Sequence, residues 1–212
     1  MKLVIFDMDG LMVDTERVYL QFWLRGFPQT SLEERERDFY NVCGRNRRDT
    51  AAYLESRFPG IDTDEVLDRV EGDALIHIRQ NGVPLKKGLL ELFEALERGG
   101  IPKALATSAT AEDAEMVLRG AGIWNRFAVR VFGDMVKNSK PQPDIFLLAA
   151  QQAGVPPEQC MVLEDSVAGV TAARRAGMIT VMVPDLIQPD DDIKRILDHQ
   201  CESLLDAIAL IE

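Results

Sequence analysis

Leu3-Val4-Ile5-Phe6 is a run of apolar residues with no polar alternation, and it leads directly into Asp7-Met8-Asp9-Gly10. A short run that is apolar at every position reads as a strand buried on both faces, the kind found in parallel sheets covered by helices. In open sheets of that type, ligands bind in the crevice beyond the carboxyl ends of the strands. Asp7 and Asp9 fall at that end. Two carboxylates make a poor structural plug there, because each needs compensation for leaving water. They make a good metal-bound nucleophile and proton-transfer pair.

Four further apolar runs read as strands: Lys103–Ala106, Ala128–Phe132, Met161–Leu163 and Ile179–Val183. Helical stretches separate them. Gly88–Arg98 carries Leu89, Leu92, Phe93 and Leu96 on one face, and Ala111–Arg119 is followed by Gly120. Asp144–Ala153 stops at Gly154, and Ser166–Ala176 stops at Gly177. Strands alternating with helices predict an α/β fold, a Rossmann-like parallel sheet with helices on both faces. One segment breaks the alternation. From Glu16 to Gly82 there is helical periodicity without a convincing strand: Tyr19, Phe22 and Trp23 share a face, and Val66, Leu67, Val70, Ala74 and Ile78 continue at helical spacing. Its charge run Glu33–Asp38 reads as a solvated helix face. The expected organisation is a catalytic core over residues 1–15 and 84–212 with an inserted α-helical cap over 16–83.

Composition narrows the function. At 212 residues, 46% hydrophobic and 28% charged, the chain is globular rather than disordered. A net charge of −11 disfavours nucleic acid as a partner, because counterion release needs clustered Lys and Arg. No apolar stretch reaches membrane-spanning length, and Met1-Lys2 enters a core strand without a signal-peptide pattern. Cys43, Cys160 and Cys201 are odd in number and scattered, which reads as reduced thiols in the cytoplasm. His77 and His199 are isolated and read as structural or solvent-facing. A monomer is expected.

Three strands end in reactive or hydrogen-bonding residues: Asp7 and Asp9, then Thr107-Ser108, then Glu164-Asp165. Neighbouring strands lie about 4.8 Å apart, so these groups converge on one pocket if the strands are adjacent. Ser139-Lys140-Pro141-Gln142-Pro143-Asp144 adds a lysine just before a helix start. Each group has a task in phosphoryl transfer. A carboxylate can attack phosphorus to give an acyl phosphate. The repulsion between carboxylate and phosphate is relieved by a hard divalent cation such as Mg²⁺, which takes oxygen ligands. Asp7, Asp165 and Glu164 offer such oxygens. Lys140 adds positive charge, Thr107-Ser108 add hydroxyl donors, and Asp9 can protonate the leaving oxygen and then deprotonate water. Taken singly, Asp-x-Asp reads as a turn, Thr107-Ser108 as a helix cap and Lys140 as a surface lysine. Together, in this order and each after the right kind of element, they do not.

Asp7-Met8-Asp9-Gly10 with Asp14-Thr15-Glu16, Ala106-Thr107-Ser108, Lys140-Pro141-Gln142-Pro143-Asp144 and Leu163-Glu164-Asp165-Ser166 resemble the four motifs of the haloacid dehalogenase-like hydrolases. The resemblance is to the branch of phosphatases and β-phosphoglucomutases with a helical cap after the first strand. It implies that Asp7 is the nucleophile and a Mg²⁺ ligand. It further implies that Asp9 is the general acid/base and binds metal through its backbone carbonyl. Thr107 and Lys140 would hold the phosphoryl group, and Asp165 with Glu164 would complete the metal site. The dehalogenases of this family use a lone nucleophilic Asp without metal, so Asp9 and Glu164-Asp165 argue against that branch.

The function expected is Mg²⁺-dependent hydrolysis of a small phosphomonoester, a sugar phosphate or related metabolite, through a phospho-aspartyl intermediate. Two alternatives stay open. A mutase resemblance calls for a lysine before the cap glycine and a histidine after the Asp-Thr pair, where this chain has Cys43 and Tyr19. Arg47 does match the mutase's cap arginine, within a cluster Gly44–Asp49 that could hold the distal part of an anionic substrate or simply start a helix capped by Asn46. Gly26 and Pro28 interrupt the first cap helix early. The second alternative, a non-catalytic phosphoacceptor resembling response-regulator receivers, is disfavoured by the helical insert and by Asp9, which would hasten hydrolysis.

Overall fold

The computed structural model describes residues 1–27, 30–45 and 47–211, so Pro28 and the proposed cap Asn46 lie outside the described residues. Its strands are β1 Leu3–Phe6, β2 Lys103–Ala106, β3 Val129–Val131, β4 Cys160–Glu164, β5 Ile179–Met182 and β6 His199–Gln200. The helices are α1 Thr15–Gly26, α2 Leu32–Val42, α3 Arg47–Arg57, α4 Thr63–Asn81, α5 Leu89–Arg98, α6 Ala111–Gly120, α7 Asp144–Ala153, α8 Val167–Arg175 and α9 Asp191–Lys194. All strands are parallel, in the order β3-β2-β1-β4-β5-β6. The five expected strands are present, β1 and β2 with the expected bounds and the other three with ends moved by one residue. The unexpected one is β6, two exposed residues beside β5 that no apolar pattern could announce.

β1 is central, with Phe6 opposite Leu105 of β2 on one side and Leu163 of β4 on the other. Chain order diverges to either side of β1, so the topological switch point lies at its carboxyl end. Both faces of the strand are dry. Leu3 and Ile5 pack into a cluster with Ile145, Phe146 and Ala149 of α7 and Ala172 and Ala173 of α8. Val4 and Phe6 point the other way, into a cluster with α5 and α6. On α5 the buried residues Leu89, Leu92, Phe93 and Leu96 follow the i, i+3, i+4, i+7 spacing of one helix face. Phe93 meets Phe6 edge-on with ring centroids 5.2 Å apart. Truncating such a buried ring costs about 3–5 kcal/mol.

Helices α1 to α4 lie between β1 and α5 in sequence and have an apolar cluster of their own, including Trp23, Phe27, Phe39, Leu54 and Leu67. The starts of α2 and α4 are capped by side chains. Ser31 and Glu34 form a reciprocal capping box on α2, and Asp62 accepts from the Glu65 N–H at 3.0 Å on α4. Such caps contribute about 1 kcal/mol each. The charge run on α2 is not wholly a solvated face. Asp38 is buried and accepts from the Tyr53 hydroxyl at 2.6 Å and from Arg57 at 3.3 Å, because α3 packs over it.

The two passages between sheet and helical segment run side by side. Asp14 N–H donates to Pro84 O at 3.0 Å and Lys86 N–H to Met12 O at 2.9 Å. Asp185, after β5, pairs with Arg17 on one passage and Lys86 on the other, both at 2.7 Å.

Candidate active site

Register brings the reactive residues together. Asp7 follows Phe6 and donates its N–H to Leu163 O, while Thr107 follows β2 and donates its N–H to Val131 O, both at 3.1 Å. Glu164 ends β4 and Asp165 follows it. Asp7, Asp9, Thr107, Ser108, Lys140, Glu164, Asp165 and Arg47 all line one cleft of about 250 Å³, closed on its far side by α1, α2 and α4. Every site residue expected from the sequence is therefore in the same place. His77 and His199 are outside it; His77 lies against Phe22 and Asn81.

Lys140 is the hub. It comes from the loop before α7 and is buried, with its ammonium donating to Asp7 Oδ1, to Glu164 Oε1 at 2.7 Å and to Ala106 O at 3.3 Å. All three donors of the ammonium are used. Burial alone would lower its pKa, but Asp7 and Glu164 more than reverse this and hold it above the ordinary lysine range. Glu164 is equally committed: its other oxygen accepts from the Ser166 N–H at 2.7 Å and hydroxyl at 2.9 Å. A Cβ at Gly169 would lie 1.7 Å from Glu164 Oε1, so only glycine admits this carboxylate under α8.

The acids are crowded. Oxygens of Asp7, Glu164 and Asp165 lie within 4.8 Å of one another, all three residues buried. Burial raises the pKa of Asp7, with Lys140 opposing and Glu164 and Asp9 adding to the rise. Burial raises Asp165 as well, reinforced by Glu164 and Asp7. Gly10, at φ +75°, turns the chain so tightly that a Cβ there would meet Asp165 Oδ2 at 2.2 Å. Among the described residues, the buried cation set against these carboxylates is Lys140. The surplus negative charge and the hard oxygen donors suit a divalent cation such as Mg²⁺.

Asp9 accepts from the Thr15 hydroxyl at 2.6 Å, and burial raises its pKa against that hydrogen bond. Thr107 is fully buried and its oxygen accepts from the Ala109 N–H at 3.1 Å. It is not the cap of α6. Thr110 is, accepting from the Asp113 N–H at 3.2 Å, so the ordinary explanation for Thr107-Ser108 is taken by another residue. Ser166 does cap α8, through the Gly169 N–H at 3.0 Å.

Residues 1–177 match the family description "haloacid dehalogenase-like hydrolase". The chain belongs to the haloacid dehalogenase-like hydrolases. It is 33% identical over 178 residues to a phosphorylated carbohydrates phosphatase of Thermotoga maritima, covering 84% of this chain and 82% of that one. It is 34% identical over 188 residues to the fructose-1-phosphate phosphatase YqaB of Escherichia coli, covering 85% and 95%. Among solved structures, CbbY of Rhodobacter sphaeroides in complex with phosphate superposes with a TM-score of 0.82 at 23% identity, covering 97% of this chain and 96% of that one, which establishes the shared fold.

Within this hydrolase, three residues in or behind the cleft lining do more than the sequence signalled. Thr15 orients Asp9. Glu16 is buried in the lining, and burial raises its pKa to about 7, with a hydrogen bond to Cys43 opposing the rise. Glu71 of α4 reaches the cleft from a helix with no motif, and it bonds Arg47 at 2.5 Å. Asp68 bonds the same guanidinium at 2.7 Å. Arg47 is thus engaged by carboxylates rather than presented free to a ligand.

Proposed function

We propose that the chain is a Mg²⁺-dependent phosphatase of small phosphorylated metabolites that works through a phospho-aspartyl intermediate on Asp7. The observation that carries this reading is the convergence of Asp7, Asp9, Lys140 and Asp165 in one cleft at the carboxyl end of the sheet, with Lys140 clamped between Asp7 and Glu164. The named relatives, both phosphatases of phosphorylated carbohydrates, support it. Asp7, Asp165 and the Asp9 backbone carbonyl would hold the metal. Glu164, whose oxygens are committed to Lys140 and Ser166, acts by positioning. Mg²⁺ bound there supplies neutralisation of the repulsion between the Asp7 carboxylate and the phosphate.

The Asp7 carboxylate attacks phosphorus while Asp9 gives its proton to the departing alkoxide. Lys140 and the Thr107 and Ser108 hydroxyls bind the phosphoryl oxygens as charge moves between them. Asp9, now ionised, takes a proton from a water that attacks the acyl phosphate, releasing phosphate and restoring Asp7. The raised pKa of Asp9 favours the protonated form that the first step needs. We read residues 16–83 as a cap that closes over the cleft about the paired passages at Asp14 and Pro84, excluding bulk water. Tyr19 and Cys43 line the cleft where a mutase resemblance calls for histidine and lysine, which supports release of phosphate over its return to sugar. The test is phosphate release from a panel of small phosphomonoesters including β-glucose 1-phosphate, with Mg²⁺ and with chelator. Release that needs Mg²⁺ is expected; isomerisation without release would replace this reading with the mutase.

A further inference from the structure

We infer that the leaving group is an uncharged polyol carrying no second phosphate, and that Glu71 enforces this by keeping Arg47 occupied. The inference rests on the phosphatase reading above and deepens it. Beyond the phosphoryl end, the cleft has two kinds of wall. One is apolar, lined by the largely buried Trp23, Phe39, Val42 and Leu67. The other is acidic, formed by Glu16, Glu71 and Asp113. A second phosphate would need a cation to receive it. Lys140 lies beside Asp7 and Glu164, where it serves the transferring phosphoryl group, and Arg47 is held by Glu71 at 2.5 Å and Asp68 at 2.7 Å, with Asp64 at 3.5 Å. Cys43, at the position before Gly44, is neutral: burial raises its thiol pKa, and Glu16 raises it further. Arg45, the remaining cation in the lining, is exposed, where a charge pair is worth little.

A second anionic group reaching Arg47 would therefore compete with Glu71 and Asp68 for the guanidinium and would sit beside their negative charge. A hydroxyl meets no such penalty. Glu16 accepts hydrogen bonds from it, and the aromatic wall covers the carbon skeleton. The volume, about 250 Å³, is close to the lower end of small-ligand sites, ~300 Å³, which suits a single metabolite.

The test compares fructose 1-phosphate with fructose 1,6-bisphosphate. Calorimetry on Asp7→Asn protein with Mg²⁺ measures binding without turnover, and phosphate release by the unaltered enzyme measures kcat/KM. The monophosphate is expected to be preferred by about tenfold or more in both. Glu71→Gln is expected to move the bisphosphate-to-monophosphate ratio up by about tenfold, and adding Arg47→Gln to that variant is expected to cancel the gain. Equal or tighter binding of the bisphosphate, failure of both sugars to bind, or an unmoved ratio in Glu71→Gln overturns the inference. Turnover that is equal for the two sugars sinks it while leaving the phosphatase standing. A binding preference without any release does the reverse.

Discussion

Two of the cations that line the cleft, Lys140 and Arg47, are each held by carboxylates. Lys140 pairs with Asp7 and Glu164, and its side chain is 2% exposed. Arg47 pairs with Glu71 and Asp68, and its side chain is 38% exposed. The difference in burial decides what each pair can do. In the dry end the ions cannot be re-solvated, so losing one partner strands the others, and every charge there is fixed for chemistry. At the wetter end the same arrangement contributes about 0–1 kcal/mol and works as a filter on what enters. The sheet builds the first site, since three strand ends deliver it. The second depends on packing between α3 and α4.

That contrast can be broken by substitution. The largest effect is expected from Asp7→Asn, which removes the nucleophile: kcat should fall by about 10⁴-fold or more, with an unchanged circular dichroism spectrum. Lys140→Met comes next. It should lower kcat by about 10²–10³-fold and, by leaving Asp7 and Glu164 buried without their cation, reduce unfolding free energy by about 3–5 kcal/mol in denaturant titration. Glu164→Gln, which disturbs the clamp without touching phosphate, should cost about 10–100-fold in activity and weaken Mg²⁺ dependence. Asp165→Asn sharpens the point about crowding. In chelator it should raise the melting temperature by about 2–4 °C, the equivalent of about 1 kcal/mol, because one member of the acidic cluster loses its charge, while Mg²⁺-dependent release disappears. Smallest of all, Arg47→Gln should shift stability by no more than about 1 kcal/mol.

How much of this was legible in the chain follows the same division. β1 and the motif strands are readable because a doubly buried strand is apolar at every position, and the residues that follow it must lie at the sheet's edge. The switch point then places Asp7, Thr107 and Glu164 side by side once the strand order is known. β6 carries no such signal, being two exposed residues whose only tie is pairing with β5. The pairing of Glu164 is also hidden: beside Asp165 it is readable as one of a cluster of carboxylates, and only the fold brings Lys140, 24 residues away, onto it. Arg47 is the clearest gap. Its partner Glu71 is 24 residues off, on a helix whose pattern announces only an apolar face, so a motif arginine reads as an available phosphate ligand when tertiary packing has already paired it. Asp38, within a run of charges, is buried for the same reason, since Tyr53 and Arg57 come from α3.

The central claim is that Asp7 carries the phosphoryl group. Rapid acid quench during turnover, followed by peptide mass spectrometry, tests it most directly. One phosphoryl group on the peptide containing Asp7, forming and decaying at rates compatible with kcat and absent from Asp7→Asn protein, is the expected result. Turnover with no phosphoryl group on that peptide, together with activity surviving in Asp7→Asn, would contradict it.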